Sequence, residues 1–108
     1  MMYQLCFYVP ASHLEDVKAA LFKAGAGKLG HYDSCAWETE GFGQFRPLAG
    51  SHAFLGEINK VERIQEFKVE MVCEETYIEA VLHQLVEVHP YETPAYWVYE
   101  VKTLADFT

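Results

Sequence analysis

Phe67-Lys68-Val69-Glu70-Met71-Val72-Cys73-Glu74-Glu75-Thr76-Tyr77-Ile78-Glu79-Ala80-Val81-Leu82-His83-Gln84-Leu85-Val86-Glu87-Val88-His89-Pro90 changes its apolar period once along its length, and that change decides the fold. Phe67, Val69, Met71 and Cys73 alternate with Glu66, Lys68, Glu70 and Val72, the two-residue period of a strand with one buried face. Thr76 followed by Glu79 then spells a capping box, and Ile78, Val81, Leu82, Leu85 and Val86 recur at helical spacing. His89-Pro90 ends the helix, because proline pushes the residue before it out of the α region.

The first half follows the same plan. Tyr3, Leu5, Phe7 and Val9 alternate with Gln4, Cys6 and Tyr8, and Pro10 ends this strand. Ser12 with Glu15 forms a second candidate capping box, ahead of an apolar stripe of Leu14, Val17, Leu21 and Phe22 supported by Ala20 and Ala24. Gly25 is placed to accept the left-handed turn that stops the helix. A second strand over about residues 34–40 and a last one over Ala95 to Val101 complete the order βαββαβ. That order predicts an α+β, ferredoxin-like sandwich with both helices on one face of an antiparallel sheet.

At 108 residues, 51% hydrophobic and 15% aromatic, the sequence fits one domain over residues 1–108, large enough for a core without metal or disulfide staples. Sixteen acidic against eight basic residues give a net charge of −8, which repels phosphate backbones and anionic lipid heads. Nucleic-acid and membrane-surface roles are disfavoured. No apolar run approaches bilayer length and Met1-Met2-Tyr3-Gln4 lacks the basic region of a secretory signal, so the expected compartment is the cytoplasm. Cys6, Cys35 and Cys73 are odd in number and widely spaced, as expected of small buried hydrophobes in three separate strands.

Between the halves, Gly41-Phe42-Gly43-Gln44-Phe45-Arg46-Pro47-Leu48-Ala49-Gly50 continues through Phe54-Leu55-Gly56. A flexible linker would be polar, so this Gly/Phe-rich excursion between strands two and three is expected to be ordered, as a protruding hairpin. Its Gly-x-Gly is a weak phosphate signal, since Phe45-Arg46-Pro47 cannot open a helix cleanly.

The polar candidates fall in two clusters. In His89-Pro90-Tyr91-Glu92-Thr93-Pro94, two prolines stiffen a turn that places an imidazole three residues from a carboxylate. The pair suits either a helix-end cap or joint approach to a cation. Gly30-His31-Tyr32-Asp33-Ser34-Cys35 is the second, where His31 and Asp33 suit turn chemistry or a polar ligand. His13, His52 and His83 are expected to be solvated. No nucleophile, base and orienting group stand at a spacing that implies catalysis, so a binding role is expected ahead of an enzymatic one, with a small enzyme working at a subunit cleft as the open alternative. The last strand is apolar on both faces, with Tyr96 and Val98 on one and Trp97, Tyr99 and Val101 on the other, which predicts self-association.

The turn at His89 to Glu92, the stretch from His31 to Cys35, the Gly-x-Gly-x-Phe-x-Pro run at Gly41 to Pro47 and the opening strand and helix together give a resemblance over nearly the whole chain. The chain resembles the CutA proteins of the copper-tolerance family and the small domain inserted in YqfO-like members of the NIF-three family. The resemblance implies a CutA/PII-like fold, packing of three sheets about a threefold axis, and a self-associating small-ligand-binding or regulatory role. It places ligand-binding candidates at His31, Tyr32, Asp33, Tyr91 and Glu92. It also implies two alternatives. One is a copper or zinc protein using His89, Glu92 and His31, with a divalent metal as its cofactor; the other is an accessory subunit of a NIF-three-like metal-dependent hydrolase. The hydrolase site of that family belongs to its main domain, so no activity carries over with the inserted one. Thr93 stands where glutamate is usual and Trp97 where aspartate is usual, which lowers the acidity of the turn.

Overall fold

Leu5, Phe7 and Val9 are fully buried along one side of strand β1 (Met2–Pro10), as their alternation requires. The computed structural model describes residues 1–108. Helix α1 (Leu14–Ala24), strands β2 (Trp37–Phe45) and β3 (Glu62–Glu74), helix α2 (Glu75–Val88) and strand β4 (Tyr96–Val101) follow, then a 3-10 turn over Leu104–Phe107. The sheet order is β2-β3-β1-β4 and every neighbouring pair is antiparallel, which is the predicted ferredoxin-like arrangement. Leu5, Phe7 and Val9 meet Val69, Met71 and Cys73 of β3, Val17 and Leu21 of α1, and Val81 and Leu85 of α2 in one core. Full burial of each large side chain stabilises the fold by roughly 1.5–3 kcal/mol before conformational entropy is subtracted.

The helix joints differ in detail from the expected ones. Neither capping box forms. A 3-10 turn over Ala11–His13 precedes α1, which moves the cap to His13 and sends the Ser12 hydroxyl to His13 Nδ1 at 2.8 Å. Helix α2 begins directly at the end of β3 with extended Glu74 as its cap, and the Glu75 N–H donates to the Met1 carbonyl at 3.1 Å, so Thr76 falls inside the first turn. Gly25 does end α1, at φ 123°, and a Cβ there would stand 2.6 Å from the Tyr77 ring of α2. On α2, Val88 packs on the core where Val86 was expected, and Val86 is exposed.

The second strand starts later than expected. Ser34 adopts φ 56°, which no strand residue can, and the Cys35 N–H turns back to the Gly27 carbonyl at 2.9 Å. Cys35 is therefore in a loop and only half-buried, while Cys6 in β1 and Cys73 in β3 are buried. Gly41 to Phe45, read from sequence as part of an excursion, are the end of β2 and pair with Gly41↔Glu66 through Phe45↔Glu62. The Gly-x-Gly is thus strand and not a phosphate loop. The hairpin of β2 and β3 projects beyond the sheet, and the molecule measures 52 × 25 × 24 Å.

Register assigns the sheet face away from the helices. It carries Gln4, Cys6 and Tyr8 of β1, Trp97 and Tyr99 of β4, Glu66, Lys68 and Glu70 of β3, and Trp37 of β2. Trp97 and Tyr99 are each 54% exposed, and Trp37 is exposed too. No helix is long and apolar enough to cross a membrane.

Candidate functional site

The extended conformation of His89, φ −67° and ψ 136°, is the one Pro90 demands, and it turns the imidazole back against β1. His89 Nε2 lies 2.6 Å from the Tyr8 carbonyl, and Nδ1 accepts the Tyr91 N–H at 3.1 Å. A carbonyl only accepts, so Nε2 carries the proton and the ring is the neutral tautomer. At 6% exposure, burial holds the imidazole below its ordinary pKa, with His13 acting in the same direction and the Tyr8 carbonyl and Glu66 charge opposing. Both ring nitrogens are committed to backbone groups. His89 is a cap for the turn.

That cap fixes Tyr91. Its ring stands 4.8 Å from His89, 6.3 Å from Phe45 and 6.2 Å from Phe54 between centroids, so rings from β2, the hairpin apex and the turn converge. Its hydroxyl donates to Glu66 Oε2 at 2.7 Å. Burial, and then the Glu66 carboxylate, raise the phenol pKa well above the ordinary tyrosine value, so it remains a donor. Glu66 is only 9% exposed although it lies on a face that reads as charged and solvated. Its other oxygen occupies the space over Gly43, where any Cβ would collide with it.

These groups border a cleft of about 510 Å³ beneath the hairpin, within the range of small-ligand sites. Tyr8, Phe45, Phe54, Glu66, Tyr91 and Glu92 are among its walls. Glu92 accepts the His52 N–H at 3.0 Å and so ties the hairpin apex to the turn. Ser51 also lines the cleft, and its hydroxyl is buried with no hydrogen-bond partner.

Of the sequence candidates, Tyr91 and Glu92 line the cleft; His31, Tyr32 and Asp33 do not. Those three are exposed in a tight turn closed by reciprocal Leu29 and Tyr32 backbone bonds of 2.9 and 2.8 Å. His89, Glu92 and His31 do not assemble as a ligand set, and no group of three or more His, Cys, Asp and Glu side chains is arranged to hold a metal ion. His52 and His83 are exposed as expected, whereas His13 is half-buried with its ring 5.5 Å from Phe54. Sequence reasoning passed over Glu66, Ser51, Phe45 and Phe54 as site residues. The available signal for Glu66 was two glycines, Gly41 and Gly43, on the strand that pairs with it.

Fold and cleft together define a small α+β domain of the CutA/PII-like, ferredoxin-like type. No family model matches the chain. A GTP cyclohydrolase 1 type 2 homolog of Bacillus subtilis is 41% identical over 99 residues, 92% of this chain and 26% of that protein. A Bacillus cereus protein related to NIF3 superposes with TM-score 0.81 at 34% identity, over 94% of this chain and 26% of that one. The periplasmic divalent cation tolerance protein CutA of Archaeoglobus fulgidus superposes with TM-score 0.68 over 99% of this chain and 91% of its own, and at 18% identity this likeness is one of fold. The chain spans about a quarter of the length of the curated relatives it matches, and it is a homologue of that segment of NIF3-related proteins.

Proposed function

We propose that this chain is a self-associating, non-catalytic domain of CutA/PII type that binds a small ligand in the cleft beneath its hairpin. The observation that carries the reading is the buried Glu66 carboxylate held by Tyr91 inside an aromatic-walled cleft of about 510 Å³. A side chain placed there for stability alone would be better apolar, since burying a charge costs several kcal/mol unless something repays it. Subunits associate through the open face bearing Trp37, Trp97 and Tyr99, with a trimer as the expected assembly. Because its homologues form about a quarter of larger NIF3-related proteins, its role is regulatory toward a protein of that kind.

A divalent-metal role of the sort named for CutA of Archaeoglobus fulgidus would have to draw on Glu66 and Glu92, because the nitrogens of His89 are engaged. Amide-resolved NMR titration of the full chain with a panel of small metabolites, copper and zinc tests both readings. Saturable shifts at Phe54, Tyr91 and Glu92 with an organic compound support the ligand role, and the same shifts with a metal alone replace it. A panel that moves none of these amides overturns it.

A further inference from the structure

Resting on that reading of the cleft, we infer that its ligand carries an organic ammonium group, seated against Glu66 and enclosed by the rings of Phe45, Phe54 and Tyr91. Three independent features point to a cation. First, Glu66 is 9% exposed and has no lysine, arginine or histidine within ion-pair distance, although the chain pairs the half-buried Lys18 and the exposed Lys60 and Lys68 with carboxylates. The Tyr91 hydroxyl satisfies one oxygen and leaves the negative charge uncompensated.

Second, the walls are aromatic. Phe45 and Phe54 stand 6.3 and 6.2 Å from Tyr91 at tilted angles of 47° and 44°, unstacked, and all three line the one cleft. Ring faces carry the negative end of the quadrupole and attract ammonium groups, most strongly where water is excluded. Neutral apolar ligands would favour such walls too, but they give no reason for a buried carboxylate on the same volume.

Third, the shape is reserved. Gly43 leaves the room that the second Glu66 oxygen fills, and Glu92 and the Ser51 hydroxyl add acceptors on the same cleft. Arg46 also lines the cleft, but it is exposed, and two carboxylates stand against that one guanidinium. The net field of the site favours positive charge. An ammonium group with up to three methyl substituents meets both requirements at once, the carboxylate through charge and the rings through cation–π contact.

Choline and its neutral isostere 3,3-dimethyl-1-butanol, titrated into the full chain and followed by the Phe45, Phe54 and Tyr91 ring signals, separate charge from shape. The expected result is saturable binding of choline at least about tenfold tighter than the isostere, with that preference lost in Glu66→Gln. Phe54→Leu is the second variant. It should weaken choline and leave the isostere unchanged, provided its urea midpoint stays near that of the parent. Equal binding of choline and isostere, or a choline preference that survives in a folded Glu66→Gln, overturns the cation assignment while leaving the cleft a ligand site. No binding by choline, tetramethylammonium or putrescine likewise overturns the cation assignment, and the metabolite panel then decides whether the cleft binds a ligand of another class.

Discussion

His89 Nε2 donates to the Tyr8 carbonyl across 2.6 Å, so a residue at the end of α2 is bonded to a strand 81 positions earlier in the chain. The bond needs a neutral imidazole only because Nδ1 simultaneously accepts the Tyr91 N–H. Protonation would turn that acceptor into a second donor facing another donor. Burial holds the folded pKa below the ordinary value of about 6.5. The unfolded chain therefore binds more protons in that range, and stability falls with falling pH. Urea midpoints should be level above about pH 6.5 and decline as pH drops through it toward the folded pKa; a midpoint that is flat down to about pH 5 contradicts this account.

Neither amide can replace the imidazole in full. Asn at 89 reaches the Tyr91 N–H but not the Tyr8 carbonyl, and Gln reaches the carbonyl but abandons the N–H. His89→Asn and His89→Gln should each cost about 0.5–1.5 kcal/mol for the bond lost, and more if the group left behind stays dry. Chemical denaturation at about pH 8 measures this. The pH dependence of the parent should vanish in both variants.

Gly43 and Gly41 lie on the same strand and make a controlled pair. An alanine methyl at 43 would collide with the Glu66 carboxylate, whereas nothing stands within 4 Å of the equivalent position at 41. Gly43→Ala should destabilise by about 1–3 kcal/mol and displace Glu66 from Tyr91. Gly41→Ala should be neutral or stabilise by up to about 1 kcal/mol. Similar urea midpoints for the two would remove the steric argument.

Register places Trp97 and Tyr99 on the open face, and Tyr96 and Val98 opposite Phe7 and Leu5 on the helix side. Trp97→Lys with Tyr99→Lys should therefore lower the mass seen by light scattering and leave the urea midpoint of the subunit little changed. A parent that is already monomeric at micromolar concentration would refute association through this face.

Legibility followed burial. Strand β1 buries Leu5, Phe7 and Val9, and helix α2 buries Val81 and Leu85 with Ile78, Leu82 and Val88 packed beside them, so their periods of two and 3.6 stand out in the sequence. Strand β2 is exposed along nearly its whole length, and a ribbon covered on neither face writes no alternation, so its start was misplaced and its end read as an excursion. The capping boxes failed for a different reason. Each has the right spelling, but the chain reaches its helix without the loop that would set Ser12 or Thr76 at the cap. The turn around His89 was legible as stiff and polar because its prolines are local signals. The cleft was not, since Glu66 belongs to a strand whose alternate residues are charged, and only the fold brings Tyr91 over it and Gly43 beneath it.

Strand β3 is paired on both sides from Glu66 to Glu70, Pro10 being its last partner in β1; from Glu62 to Gln65 it is bonded to β2 alone, and from Met71 to Glu74 to β1 alone. The hairpin is thus two cooperative units divided at the residue that forms the floor of the cleft. Amide hydrogen exchange should divide at the same place, with Val69 and Met71 opening only when the whole chain unfolds and Arg63 and Gln65 exchanging through local fraying. A molecule bound in the cleft would touch both units at their seam, so it slows exchange in the outer ribbon by opposing local fraying and in the inner sheet by raising the free energy of global unfolding.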